Sequence, residues 1–185
     1  MRRVKNTATN FVFLISIMFF SCYANQSKNN SEFLNQINNK RIKAIIALSI
    51  DCPICQKYQG SFLPMIKKYQ DKVDFIFLFP NQNQDAAWNV FCNYDSLFLY
   101  SKKTLALDSD FQFLKKWGIT TTPQLIVLDS NNKKVYSGKI DNRFESLGNE
   151  KPPSENYLEK VLTSLLENEQ IKIQNTEPVG CLVQY

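Results

Sequence analysis

Ile42-Lys43-Ala44-Ile45-Ile46-Ala47-Leu48-Ser49-Ile50, running directly into Asp51-Cys52-Pro53-Ile54-Cys55-Gln56-Lys57-Tyr58, is the stretch that decides the fold. Its first part is almost continuously apolar and of strand length, the pattern of a strand covered on both faces of a sheet. Beyond it Ile54, Tyr58, Phe62, Met65, Ile66 and Tyr69 recur at steps of three and four. That spacing predicts a helix from the C-x-x-C to about Tyr69, kinked at Pro64. The two thiols therefore stand at a strand-to-helix junction.

Further along, Val73 to Phe79 reads as a second strand closed by Pro80-Asn81, and Gln84 to Tyr94 as a helix with Trp88 and Phe91 on one face. Asp108-Ser109-Asp110 offers capping side chains to a short helix whose stripe, Phe111, Leu114 and Trp117, is core and whose stop is Gly118. After Thr120-Thr121-Thr122-Pro123 come Gln124 to Asp129, an Asn-rich turn and Lys134 to Ile140, which make a hairpin. Leu158, Val161, Leu162 and Leu165 mark a last helix from about Tyr157 to Leu166, followed by an extended tail from Ile171 to Tyr185. No repeat or interior boundary interrupts this order. One domain is expected over residues 31–185.

Residues 1–24 read as an export segment. Arg2, Arg3 and Lys5 precede the apolar run Phe11 to Phe20, which is too short for a spanning helix. Phe19-Phe20-Ser21-Cys22 is similar to a bacterial lipobox, so Cys22 is the candidate lipidation site. The competing route is ordinary cleavage after Ala24. Polar residues Asn25 to Asn30 suit a tether. Both routes place the domain in the cell envelope, and lipidation would add a membrane anchor.

The formal charge of +5 falls to +2 once Arg2, Arg3 and Lys5 are removed, and the remaining Lys pairs are scattered. No nucleic-acid footprint results. With Cys22 spent, Cys52, Cys55, Cys92 and Cys181 remain in an oxidising compartment. Cys92 and Cys181 stand alone and far apart, unlike paired zinc-ribbon ligands, and the absence of His excludes C-x-x-C-H haem attachment and imidazole-based copper sites. No metal or cofactor is expected. Cys181 could pair with Cys92 as a structural clamp or act on the C-x-x-C as an additional resolving thiol.

The order strand, C-x-x-C, helix, strand, helix, Thr-Pro, hairpin and helix resembles the thioredoxin-like fold, an α/β architecture with a central mixed sheet flanked by helices. The additional segment between Phe79 and Thr122 is similar to the redoxin branch, which inserts a helix and an edge strand there. Cys52-Pro53-Ile54-Cys55-Gln56-Lys57-Tyr58, Thr122-Pro123-Gln124-Leu125-Ile126-Val127-Leu128-Asp129, Tyr136-Ser137-Gly138-Lys139-Ile140-Asp141-Asn142 and Thr176-Glu177-Pro178-Val179-Gly180-Cys181 resemble an exported bacterial redoxin-domain group. The resemblance implies Cys52 as the exposed nucleophile, Cys55 as the resolving thiol and Pro123 as a cis-proline. It also implies that Thr122, Pro53 and Ile54 meet the partner. A thiolate at a helix start is favoured by the dipole and by free N–H groups.

Two departures stand out. Asp51 replaces the aromatic residue many relatives carry there and is expected to cap the helix. The buried acid many relatives carry in the first strand has no counterpart at Ile45, Ile46 or Ala47. No peroxidatic Thr motif precedes the Cys. The resemblance thus implies an enzyme that reduces or exchanges disulfides of exported proteins, re-reduced by an upstream thiol donor. The alternatives are a redox-inert binding domain with a structural Cys52–Cys55 bond and a copper-handling thiol protein.

Overall fold

The computed structural model describes residues 37–58, 60–80, 103–108 and 110–185. Strand β1 (Ile42–Ala47) leads through a short turn to helix α1 (Pro53–Lys57), and α2 (Phe62–Tyr69) follows before strand β2 (Val73–Phe79). Next come β3 (Lys103–Leu107), α3 (Gln112–Trp117), β4 (Thr121–Thr122), β5 (Gln124–Leu128) and β6 (Lys134–Gly138). The small hairpin of β7 (Phe144–Ser146) and β8 (Asn149–Glu150), then α4 (Tyr157–Leu166) and β9 (Cys181–Leu182), complete the order.

The main sheet runs β3-β2-β1-β5-β6. β1 pairs parallel with β2 and antiparallel with β5, so the sheet is mixed and β1 lies at its centre. β3 is the added edge strand, parallel to β2. The helix expected over Gln84 to Tyr94 lies outside the described residues.

Burial on both faces explains the unbroken apolar strands. Alternate residues Ala44, Ile46, Phe75, Phe77, Leu125 and Val127 face the core shared with α1, α2 and α4. Their neighbours Ile45, Ala47, Ile76, Leu78, Ile126 and Leu128 face the core under α3, where Phe111, Leu114 and Trp117 form the expected stripe. The lysine inside β1 is accommodated by complete hydrogen bonding. Lys43 Nζ donates to the carbonyls of Asn39 and Arg41 and to Asn132 Oδ1, at 2.7 to 2.8 Å. A buried ammonium so satisfied avoids most of the penalty of an unpaired one.

The helix after the motif differs from the sequence reading. It breaks at Gly60, where φ is +75°, rather than bending at Pro64. Pro64 sits in the first turn of α2, where its missing N–H costs no helical bond. The small residue in a left-handed conformation therefore sets the break. At the start of α3 the Asp108 carboxylate accepts, as expected, from the N–H groups of Phe113 (3.2 Å) and Leu114 (2.7 Å), but the N-cap position itself falls to Phe111 at φ +59°; Gly118 ends the helix at φ +68°.

Candidate active site

β1 delivers the chain to Cys52, the N-cap residue of α1, with Cys55 in that helix's first turn. Opposite them, the Thr122–Pro123 peptide bond is cis. Cys52 Sγ lies 3.1 Å from the Thr122 carbonyl, and the Ser49 N–H donates to Cys55 Sγ at 3.4 Å. Cys52, Cys55 and Cys181 are all free thiols.

The two motif thiols differ in character. Cys52 is lowered to about 5, first by the hydrogen bond from the Cys55 thiol, against a contrary push from burial; the Cys181 thiol and the N–H groups of Cys55 and Cys181 also donate to it. α1 spans only Pro53–Lys57, so these local donors matter more than a macrodipole. The Thr122 carbonyl accepts from the neutral thiol and opposes ionisation, but several donors outweigh one acceptor. Cys55 is held far above the thiol range, first because its proton is shared with Cys52, then by burial.

Cys52, expected to be exposed, is buried. Cys52 is 1% exposed against 7% for Cys55. The tail lies beside Cys52: β9 pairs antiparallel with β4, Cys181 standing opposite Thr122. Of the two residues expected to meet a partner inside the motif, Pro53 is exposed whereas Ile54 is buried in the core beside α2. The three- and four-residue spacing that put Ile54 in the helical stripe is the signal that it faces inward. Asp51 is exposed, and Cys52, not Asp51, holds the cap position, without a side-chain cap bond. Cys22 and Cys92 lie outside the described residues.

A family profile for a thioredoxin-like domain matches residues 33–147, more than half of the chain. The chain belongs to that family. Among curated proteins no sequence matches it. Solved structures share the fold of this thioredoxin-like domain. A conserved protein from Geobacillus kaustophilus is 18% identical with a TM-score of 0.68, over 82% of this chain and 81% of that one. A hypothetical protein from Sinorhizobium meliloti is 16% identical with a TM-score of 0.69, over 82% and 84%. The exposed lipoprotein thioredoxin of Streptococcus pneumoniae is 13% identical with a TM-score of 0.51, over 70% and 86%. Among the described residues no helix is long and apolar enough to cross a membrane, and no cluster of three or more Cys, Asp or Glu is placed to hold a metal.

The thioredoxin-like domain does have a buried acid near its thiols, but not in β1. Asp141, after β6, is 4% exposed. Its Oδ1 accepts from the Tyr58 hydroxyl at 2.9 Å, and the Arg143 guanidinium closes on Oδ2 at 2.9 Å. Arg143 also donates to the Lys57 carbonyl at the end of α1 (3.0 Å) and to Ser61 Oγ at the start of α2 (3.2 Å), and it stacks 4.1 Å over the Tyr58 ring. This network fixes the C-terminal end of α1 and so the position of Cys55. Burial, then the Asp141 charge, keeps Tyr58 protonated. Tyr58, Asp141, Pro123 and Val179 line a small cavity beside the site, about 10 Å³ in volume, roughly the room for one water. The sequence assigned none of Tyr58, Asp141 or Arg143 a role here, and an acid just after a hairpin carries no local signal of burial.

Proposed function

We propose that this protein is an exported thiol-disulfide oxidoreductase acting on disulfides of envelope proteins through the Cys52–Cys55 dithiol. The observation that carries this reading is geometric: Cys52 caps the start of α1 with its Sγ 3.1 Å from the Thr122 carbonyl of the cis Thr122–Pro123 bond, and Cys55 sits one turn on, taking the Ser49 N–H. The lowering of Cys52 and raising of Cys55 agree with it. Cys52 attacks a partner disulfide as a thiolate; one partner sulfur leaves as a thiol and a mixed disulfide forms. Once Cys52 is bonded, it no longer shares the Cys55 proton or opposes a charge on Cys55. Burial alone then holds Cys55 up, while the Ser49 N–H favours its thiolate. Cys55 attacks Cys52, the second partner sulfur leaves reduced, and Cys52–Cys55 is left oxidised until an upstream thiol donor restores it. Thr122 and Pro123 would receive the partner's extended backbone.

The charged start, the short apolar run and Ser21-Cys22 support export with lipidation at Cys22. A fatty acyl label entering the wild type and absent from Cys22→Ala tests it. The reduction potential of the dithiol tests the enzyme reading: a value between about −120 and −270 mV supports exchange, and one below about −300 mV marks a structural bond and sinks it.

A further inference from the structure

The tail is seated on the site by two separate anchors. At the first, the Thr176 N–H donates to the Ser137 carbonyl (3.0 Å), and the Thr176 hydroxyl accepts from the Lys139 N–H (2.8 Å) and lies 2.6 Å from the Tyr136 hydroxyl. Gly138 makes this possible: a Cβ there would stand 2.2 Å from the Thr176 carbonyl oxygen, and φ is +144°. At the second, the Val183 N–H donates to the Thr120 carbonyl at 2.8 Å, and Cys181 pairs with Thr122. Gly180 crosses the Thr122–Pro123 bond so closely that a Cβ would stand 2.1 Å from the Thr122 carbonyl oxygen and 3.0 Å from Pro123 Cδ. Tyr185 closes the end, its hydroxyl donating to the Ile119 carbonyl and its ring 5.7 Å from that of Phe111. Two glycines placed where the tail touches the body, and a cysteine placed opposite the residue that Cys52 touches, are more than a surface strand requires.

We propose that Gly180–Leu182 is a built-in substrate mimic occupying the partner-binding edge at Thr121–Thr122, and that Cys181 is a third redox thiol that forms a disulfide with Cys52. This rests on the reading of Cys52 as nucleophile. The extended backbone lies where a partner strand would pair, with its cysteine beside the attacking sulfur. In the oxidised protein, Cys181 loses its proton and its sulfur attacks Cys52. The Cys52–Cys55 bond breaks, and the Cys55 sulfur leaves and takes up the proton. One disulfide replaces another, so no outside oxidant is consumed. Cys181 is held up at about 11 by burial and then by Cys52; the second cause disappears once Cys52 is bonded. The Cys52–Cys181 form is closed to partners until Cys55 attacks it in return.

One consequence separates this arrangement from a two-thiol site: removing Cys55 alone does not strand a mixed disulfide, because Cys181 resolves it. Full-length Cys55→Ser and Cys55→Ser/Cys181→Ser are each reduced, exposed to glutathione disulfide and mapped by mass spectrometry without reductant. The expected result is a Cys52–Cys181 bond in the first and glutathione held on Cys52 in the second. Equal glutathione on Cys52 in both would overturn the role of Cys181 and leave Cys52 as nucleophile. Neither product in either variant would bring down the assignment of Cys52, and this proposal with it. Wild-type protein needs no substitution: a Cys52–Cys181 peptide is expected beside Cys52–Cys55 after oxidation, and Cys52–Cys55 alone counts against the mimic.

Discussion

Cys181 and Thr122 stand opposite each other in an antiparallel pair, and the Thr122 carbonyl is 3.1 Å from Cys52 Sγ. One residue of the cis-proline loop thus meets Cys52 on one side and the tail cysteine on the other. Cys52 is 1% exposed where the docked tail pairs beside it.

Undocking the tail should therefore uncover Cys52. Gly180→Ala puts a methyl 2.1 Å from the Thr122 carbonyl oxygen. The short ladder gives way more easily than the loop beneath it. Loss of about 1.4 kcal/mol of docking energy corresponds to about tenfold more open protein. Alkylation of Cys52 in the reduced protein should rise by about that factor while the far-ultraviolet spectrum stays unchanged. An unaltered rate would mean that the tail does not shield the thiol.

The same contacts add to the acidity of Cys52, whose first cause is the Cys55 thiol. Thiolate absorbance of the reduced wild type should titrate near pH 5. In Cys181→Ser the midpoint should stay close to this, because a hydroxyl still donates. In Gly180→Ala it should move upward, because the donors on the tail leave. For stability the sign follows from the depressed pKa. The contribution is full above the unfolded value of about 8.5, declines as pH falls, and is gone below about 5. Reduced wild type should accordingly lose stability against denaturant across that window by more than Cys52→Ser does.

Asp141 is tested by removal. Asp141→Ala leaves Arg143, 14% exposed, and the Tyr58 hydroxyl without their shared partner. Breaking such a buried pair costs about 3–5 kcal/mol, read as a lower denaturation midpoint. Tyr58→Phe should cost less, about 1–2 kcal/mol, because Arg143 still satisfies the carboxylate. Equal losses would show that Asp141 is held chiefly through the phenol.

Much of this was legible in the sequence where a pattern is long or a residue type is chemically singular. β2 and α4 follow from seven apolar-rich residues and a clean helical stripe, and Cys52, Cys55 and Thr122-Pro123 from their order along the chain. The break between α1 and α2 was not legible. Tyr58 and Phe62 keep one stripe across it, and the groups that hold it, Arg143 with the Lys57 carbonyl and Ser61, meet over more than eighty residues of separation. Asp141 looked like any polar residue after a hairpin, since local sequence does not distinguish a buried acid with partners from a solvated one. Gly138 and Gly180 gave the least warning. Their role is to let Thr176 and the Thr122 carbonyl approach, and such contacts have no periodicity.

The central claim is that Cys52 is the attacking thiol and Cys55 the thiol that releases the product. Its most direct test is a single-turnover reaction of the reduced protein with a chromogenic aromatic disulfide near neutral pH, run on wild type, Cys52→Ser and Cys55→Ser/Cys181→Ser. Wild type should release both aromatic thiols, the double variant one thiol with the other held on Cys52, and Cys52→Ser none at the fast rate. Undiminished fast release by Cys52→Ser would contradict the assignment.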